Sequence, residues 1–128
     1  QWQVDAGSGF TNISDNADYA GTATRQMQLK NVPSSFYGYQ YRCFVNGISY
    51  SNVISLKFIS YWNGKISNAW EDPANWTCGN IPDANTDVVV QSSSNTPEVN
   101  SNATCRSTII SPGTTITVKT GYTLTITH

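Results

Sequence analysis

Histidine occurs once in the chain, as His128, and charged residues make up only 12% of it. A nucleophilic cysteine or serine needs a base beside it, so a single imidazole at the far end leaves no motif for that chemistry. Seven Lys+Arg stand against eight Asp+Glu with no basic cluster, which removes the footprint a phosphate backbone would need. Nucleic acid is therefore not an expected partner. No apolar run reaches membrane-spanning length, and no charged-then-apolar leader opens the chain, so membrane insertion is not expected either. The first residue is Gln1, and Gln1 to Val4 already reads as the middle of a strand, as expected of a fragment of something longer.

The three cysteines, Cys43, Cys78 and Cys105, cannot close into pairs, and their spacing fits no zinc site. What the chain has in quantity is Thr, Ser, Asn and Gly, residues that suit strands and turns and make it soluble through hydroxyls and amides. That composition points to an all-β fold in an oxidising, extracellular or cell-surface setting. With 128 residues there is room for two small modules. The expected division is 1–59 and 60–128, with a joint near Ile59 and Ser60.

In the first part, period-two alternation dominates. Trp2 and Val4 alternate with Gln1 and Gln3, Met27 and Leu29 with Gln26, Gln28 and Lys30, and Tyr39, Tyr41, Cys43 and Val45 with Gln40, Arg42 and Phe44. Asn46-Gly47 joins that last run to another at Val53–Phe58, a hairpin signal with a loop longer than two residues. The Gln-Trp-Gln opening, the Gly38–Cys43 run and the hairpin resemble strands C, F and G of an immunoglobulin-like domain. In that family a strand-C Trp packs on the disulfide between strands B and F, and a Tyr two residues before the second Cys forms a corner; Trp2, Cys43 and Tyr41 match those places. Strands A and B, with the first cysteine, are missing. The resemblance thus implies a partial sandwich in which Cys43 is unpaired or intermolecular and an upstream segment or another copy supplies strands.

The second part is rich in turns and tryptophan: Trp62-Asn63-Gly64, Ser67-Asn68-Ala69-Trp70, Pro73-Ala74-Asn75-Trp76 and Cys78-Gly79-Asn80-Ile81-Pro82. It leads into Asp87-Val88-Val89-Val90, a short buried-type strand. Residues Ser111–Val118 are then echoed eight residues later by Lys119–Ile126, each unit a Gly turn followed by a Thr/apolar strand. Such a unit fits one side of a β-solenoid coil. The pattern resembles the opening of β-solenoid-like regions in large secreted and surface proteins of the phylum Bacteroidetes, where such parts act as spacers, adhesive stalks or accessory modules. The resemblance implies a Trp/Gly-rich cap leading into a Thr-rich β-repeat module, solenoid-like or a small β-sandwich.

Candidate chemistry is sparse. A Cys78–Cys105 disulfide is the expected staple for the second module, with a Cys43 pairing as the alternative. Tyr61, Trp62, Trp70 and Trp76 could form a platform on which sugar rings stack, but large aromatics among turns are first of all buried mass, here a cap on the module's end. Asp83, Asn85 and Asp87 are spaced like the start of a calcium loop, without its Gly or closing Glu, so a polar turn is the favoured reading and no metal or cofactor is expected. Glu71-Asp72 gives no sign of carboxylates held across a cleft. The expected function is non-enzymatic adhesion, spacing or assembly within a larger surface protein, possessing an open edge for β-strand addition. The alternative is a carbohydrate-binding accessory module of a secreted polysaccharide-degrading enzyme.

Overall fold

Alternating sequence becomes strand throughout, and the computed structural model, which describes all residues from 1 to 128, is an all-β chain of two compact units, Gln1–Lys57 and Phe58–His128. The division falls before β8 (Phe58–Trp62), so Phe58, Ile59 and Ser60 belong to the second unit's first strand.

In the first unit β1 (Trp2–Asp5) lies between β2 (Thr11–Asn12) and β5 (Gln40–Val45), antiparallel to both. The other side of β5 carries β6 (Ser49–Tyr50) and β7 (Ile54–Ser55). The Asn46-Gly47 turn has φ of 50° and 69°, left-handed values that Asn and Gly tolerate, and Ile48 N–H closes it onto the Val45 carbonyl at 3.0 Å. The returning strand is split: Ser51 turns in to bond Cys43 through backbone and hydroxyl. Against this sheet lies only one short ladder, β3 (Tyr19–Ala20) with β4 (Gln28–Leu29). The core it encloses is Ile13, Tyr19 and Tyr41, with Trp2, Val4, Met27, Phe36, Tyr39 and Leu56 only partly buried around it. The Tyr41 hydroxyl meets that of Tyr19 at 3.2 Å, and burial, helped by that contact, pushes its pKa above the ordinary value.

The second unit pairs its strands in parallel. β8 (Phe58–Trp62) and β12 (Ser107–Ile110) flank β9 (Thr86–Val90), β10 (Glu98–Val99) pairs β13 (Thr117–Val118), and β11 (Ala103–Cys105) pairs β14 (Leu124–Ile126). Parity decides what faces inward. Val88 and Val90 of β9 are fully buried, so their register partners Ser60 and Trp62 on β8 and Thr108 and Ile110 on β12 point the same way. Val99 and Cys105 close the other two ladders onto one core with Trp62, Trp70 and Trp76, against which Ile116 and Leu124 pack. The two repeat units seen in sequence end in β13 and β14, one strand each, in different ladders.

Candidate functional site

The tryptophan segment forms one end of the second unit. Its three indoles are 3%, 0% and 2% exposed at Trp62, Trp70 and Trp76, packed edge-on with ring centroids 5.0 and 4.7 Å apart. Trp62 Nε1–H donates to the Asn95 carbonyl at 2.7 Å and Trp76 Nε1–H to the Trp70 carbonyl at 2.8 Å. This corrects the stacking platform of Tyr61, Trp62, Trp70 and Trp76. Tyr61 and Trp62 are neighbours on one strand and therefore face opposite sides, Tyr61 outward and Trp62 into the core. No indole face is left for a sugar ring.

The loop that carries these rings is organised by Asn75, which is wholly buried. Its side-chain oxygen accepts from Ile66 N–H and Ser67 N–H at 2.9 and 3.1 Å, and its amide donates to Ser67 Oγ and the Ala69 carbonyl at 3.0 and 2.9 Å. Asp72 caps the 3₁₀ turn Pro73–Asn75 by accepting from Ala74 N–H. The same segment covers strand edges. Thr77 N–H donates to Tyr61 and Trp70 N–H to Glu98, so β8 and β10 are closed on that side. Glu71 clasps the turn after β10, accepting from Asn100 N–H at 2.7 Å and Ser101 N–H at 2.8 Å. Partial burial works to raise its pKa, but backbone and side-chain donors outweigh that and hold it below the ordinary value. Sequence reasoning missed both Asn75 and Glu71. Only the Asn-Trp juxtaposition hinted at the first.

The expected Cys78–Cys105 disulfide is not formed, and all three cysteines are free. Cys105 ends β11 pointing into the core, Sγ 3.2 Å from Thr108 Oγ1, whereas Cys78 lies on the surface with its thiol donating to the Ile59 carbonyl at 3.5 Å. The strand direction that buries one thiol keeps it from the other. Burial, together with the Asp87 carboxylate and against the Thr108 hydrogen bond, pushes the Cys105 thiol up, the opposite of an activated nucleophile.

Asp83 accepts from Asn85 N–H and Thr86 Oγ1 within its own turn, and Asp87 forms an ion pair with Arg106 at 2.8 Å.

In the first unit Cys43 is paired in register with Trp2, and Val4 with Tyr41. Beside Cys43 opens a cleft of about 540 Å³ lined by Gln1, Thr24, Arg25, Phe44 and Val45. Two carboxylates of this unit, neither of them lining the cleft, are committed to turns. Asp5 accepts from Gly7 and Gly9 N–H, and Asp15 from the Thr22 hydroxyl and backbone and from Gly21, which lowers both pKa values.

These features define a class: an all-β chain whose second unit wraps parallel ladders around a tryptophan core. The chain belongs to the family described as Domain of unknown function (DUF8693), matched over residues 61–128. No curated protein and no solved structure matches it.

Proposed function

We propose that this chain is a non-enzymatic segment of a larger secreted or cell-surface protein, serving adhesion, spacing or assembly. Its first unit acts as an immunoglobulin-like layer short of two strands, and its second as the capped start of a β-solenoid. The Trp2–Cys43 and Val4–Tyr41 registers support the first part, because they set a strand-C tryptophan beside a strand-F cysteine. The second is supported by ladders that return after some twenty residues, a period suited to stacked coils.

One observation carries the assembly role. The sheet built on β1 and β5 faces a layer of only two two-residue strands, with six apolar side chains around the core only partly buried and the outer edge of β4 unpaired beside exposed Leu29. An open edge next to uncovered apolar surface is a template for another strand. A strand from a second polypeptide, most simply another copy, completes it. Hydrogen exchange read by mass spectrometry tests this: the β4 amides slow as protein concentration rises, and Leu29→Lys abolishes the slowing. A compact monomer with β4 exchange independent of concentration sinks the idea.

A further inference from the structure

On the outward face of the first unit's main sheet the fold orders a guanidinium that it does not itself use. Trp2, Val4 and Tyr41 pack toward the core, so alternation turns Gln3 and Arg42 to the other side of the sheet. Asn12, Gln3 and Arg42 are cross-strand partners in one row over β2, β1 and β5. Their side chains are linked: Gln3 Nε2–H donates to Asn12 Oδ1 at 2.9 Å, and Gln3 Oε1 accepts from Arg42 Nε–H at 2.8 Å. Two rings hold the guanidinium, its Cζ 3.9 Å from the Phe10 ring centre and 3.8 Å from that of Tyr50, and Tyr50 is itself stacked with its register partner Phe44 at 4.8 Å. Phe10 follows a loop that Asp5 fixes by accepting from Gly7 and Gly9 N–H. A guanidinium donates only in its own plane, so the rings take none of its five N–H groups. Nε–H goes to Gln3, the four on the terminal nitrogens meet no protein acceptor, and Arg42 is in neither of the chain's ion pairs, Arg106–Asp87 and Lys119–Glu98. The Asp5 carboxylate is committed to its glycine amides, and Arg42 is the weakest of the influences on it.

We propose that Arg42, held by Phe10, Tyr50 and Gln3, binds the carboxylate of a uronic acid in an acidic polysaccharide. The terminal edge of a guanidinium presents two parallel N–H groups that match the two oxygens of a carboxylate. Here the rings and Gln3 hold that edge in place beforehand, so less side-chain freedom is lost on binding. The surroundings favour a sugar acid over an acidic peptide. Gln3 and Arg42 stand mid-sheet, on strands paired along both sides, where backbone groups are already taken up in ladders. A peptide held by main-chain hydrogen bonds needs a sheet edge. This face presents side-chain amides and a phenol, Asn12, Gln40 and Tyr50, all exposed, which suit the hydroxyls of a sugar, next to rings that suit its C–H face. The site lies on the opposite side of the sheet from the core and uses no residue of β3 or β4, so glycan binding and strand addition are independent of each other.

Isothermal titration of the whole chain with trigalacturonate at low salt is the test. Saturable binding is expected, lost when the sugar carboxyls are methyl esters and weakened at least about tenfold by Arg42→Lys, which keeps the charge but not the planar fork. Arg25→Gln, which removes a positive charge at an exposed position outside this row, leaves the affinity unchanged. On the unaltered chain, trigalacturonate protects Arg42 but not Arg25 from modification by butanedione, mapped by peptide mass spectrometry, a readout that needs no variant to fold. Absence of binding at millimolar trigalacturonate overturns the inference. So does equal binding of the methyl ester, equal binding by a folded Arg42→Lys chain, or protection that spares Arg42. A triglutamate peptide that binds as tightly as the sugar acid overturns it too, and assigns the site to acidic peptides.

Discussion

Cys43, Cys78 and Cys105 occupy three different surroundings, and their reactivities should differ accordingly. Cys78 is exposed, Cys43 partly so, and Cys105 is buried with its thiol pushed up by desolvation. Since the thiolate is the reacting species, accessibility and pKa act in the same direction. A maleimide added to the native, unreduced chain is expected to label Cys78 first, Cys43 more slowly, and Cys105 only after denaturation, reaching three labels by intact mass. A denatured chain that accepts a single label until it is reduced would show that a disulfide had formed. Sequence alone could not give this outcome. Count and spacing say which cysteines exist, but the pleat of β11 decides that Cys105 points inward, and pleat direction depends on the register with β14.

Among the elements, the loop from Asn63 to Trp76 has almost no regular structure, yet it carries two of the three core indoles. It holds because Asn75 replaces a missing backbone ladder with four hydrogen bonds. Asn75→Ala leaves the Ile66 and Ser67 N–H groups without their acceptor in a partly buried loop, while the Ala69 carbonyl keeps Asp72 N–H, with an expected loss of about 2–4 kcal/mol from the second unit. Urea unfolding followed by tryptophan fluorescence reads this, and Asn80→Ala, on an exposed residue, should change stability by less than about 0.5 kcal/mol. A loss no larger for Asn75 than for Asn80 would mean that the loop is held by indole packing alone. The strands themselves were legible. Alternation at Trp2–Val4 and Tyr39–Val45 became β1 and β5, the Val88–Val90 run became a strand paired on both sides, and the eight-residue echo became β13 and β14. Tryptophans spaced among Gly, Asn and Pro were legible as buried mass. Asn75 was not, because a side chain that substitutes for backbone leaves no periodicity to detect.

For the whole molecule, low charge makes the few carboxylates disproportionately visible in its response to acid. Asp5, Asp15 and Glu71 each bond backbone amides, and all three have pKa values below the ordinary 3.8 and 4.5. A carboxyl whose folded pKa is depressed binds its proton more tightly when unfolded. The stability it gives is therefore present above the ordinary value and is lost as pH falls through the depressed one. Thermal unfolding should thus shift to lower temperature as pH drops below about 4.5 and continue falling below 3.8, with little change from pH 5 to 7. Glu71 lies in the unit that holds Trp62, Trp70 and Trp76, three of the chain's four tryptophans, so indole fluorescence weights its unit, and comparison with the Glu71 variant gives its share. Glu71→Gln removes the titration while retaining an acceptor for Asn100 and Ser101, so the variant starts less stable at pH 6. Its tryptophan-detected melting temperature should also fall less than that of the wild type between pH 6 and pH 3. Parallel wild-type and variant profiles over that range would remove Glu71 as a source of acid sensitivity. The alkaline side belongs to the first unit, where the raised pKa of Tyr41 keeps its stability intact below the ordinary 10.0 and withdraws it above. The two limits of the pH profile thus depend on different groups, Asp5, Asp15 and Glu71 at the acid end and Tyr41, in the Tyr19–Tyr41 core, at the alkaline end.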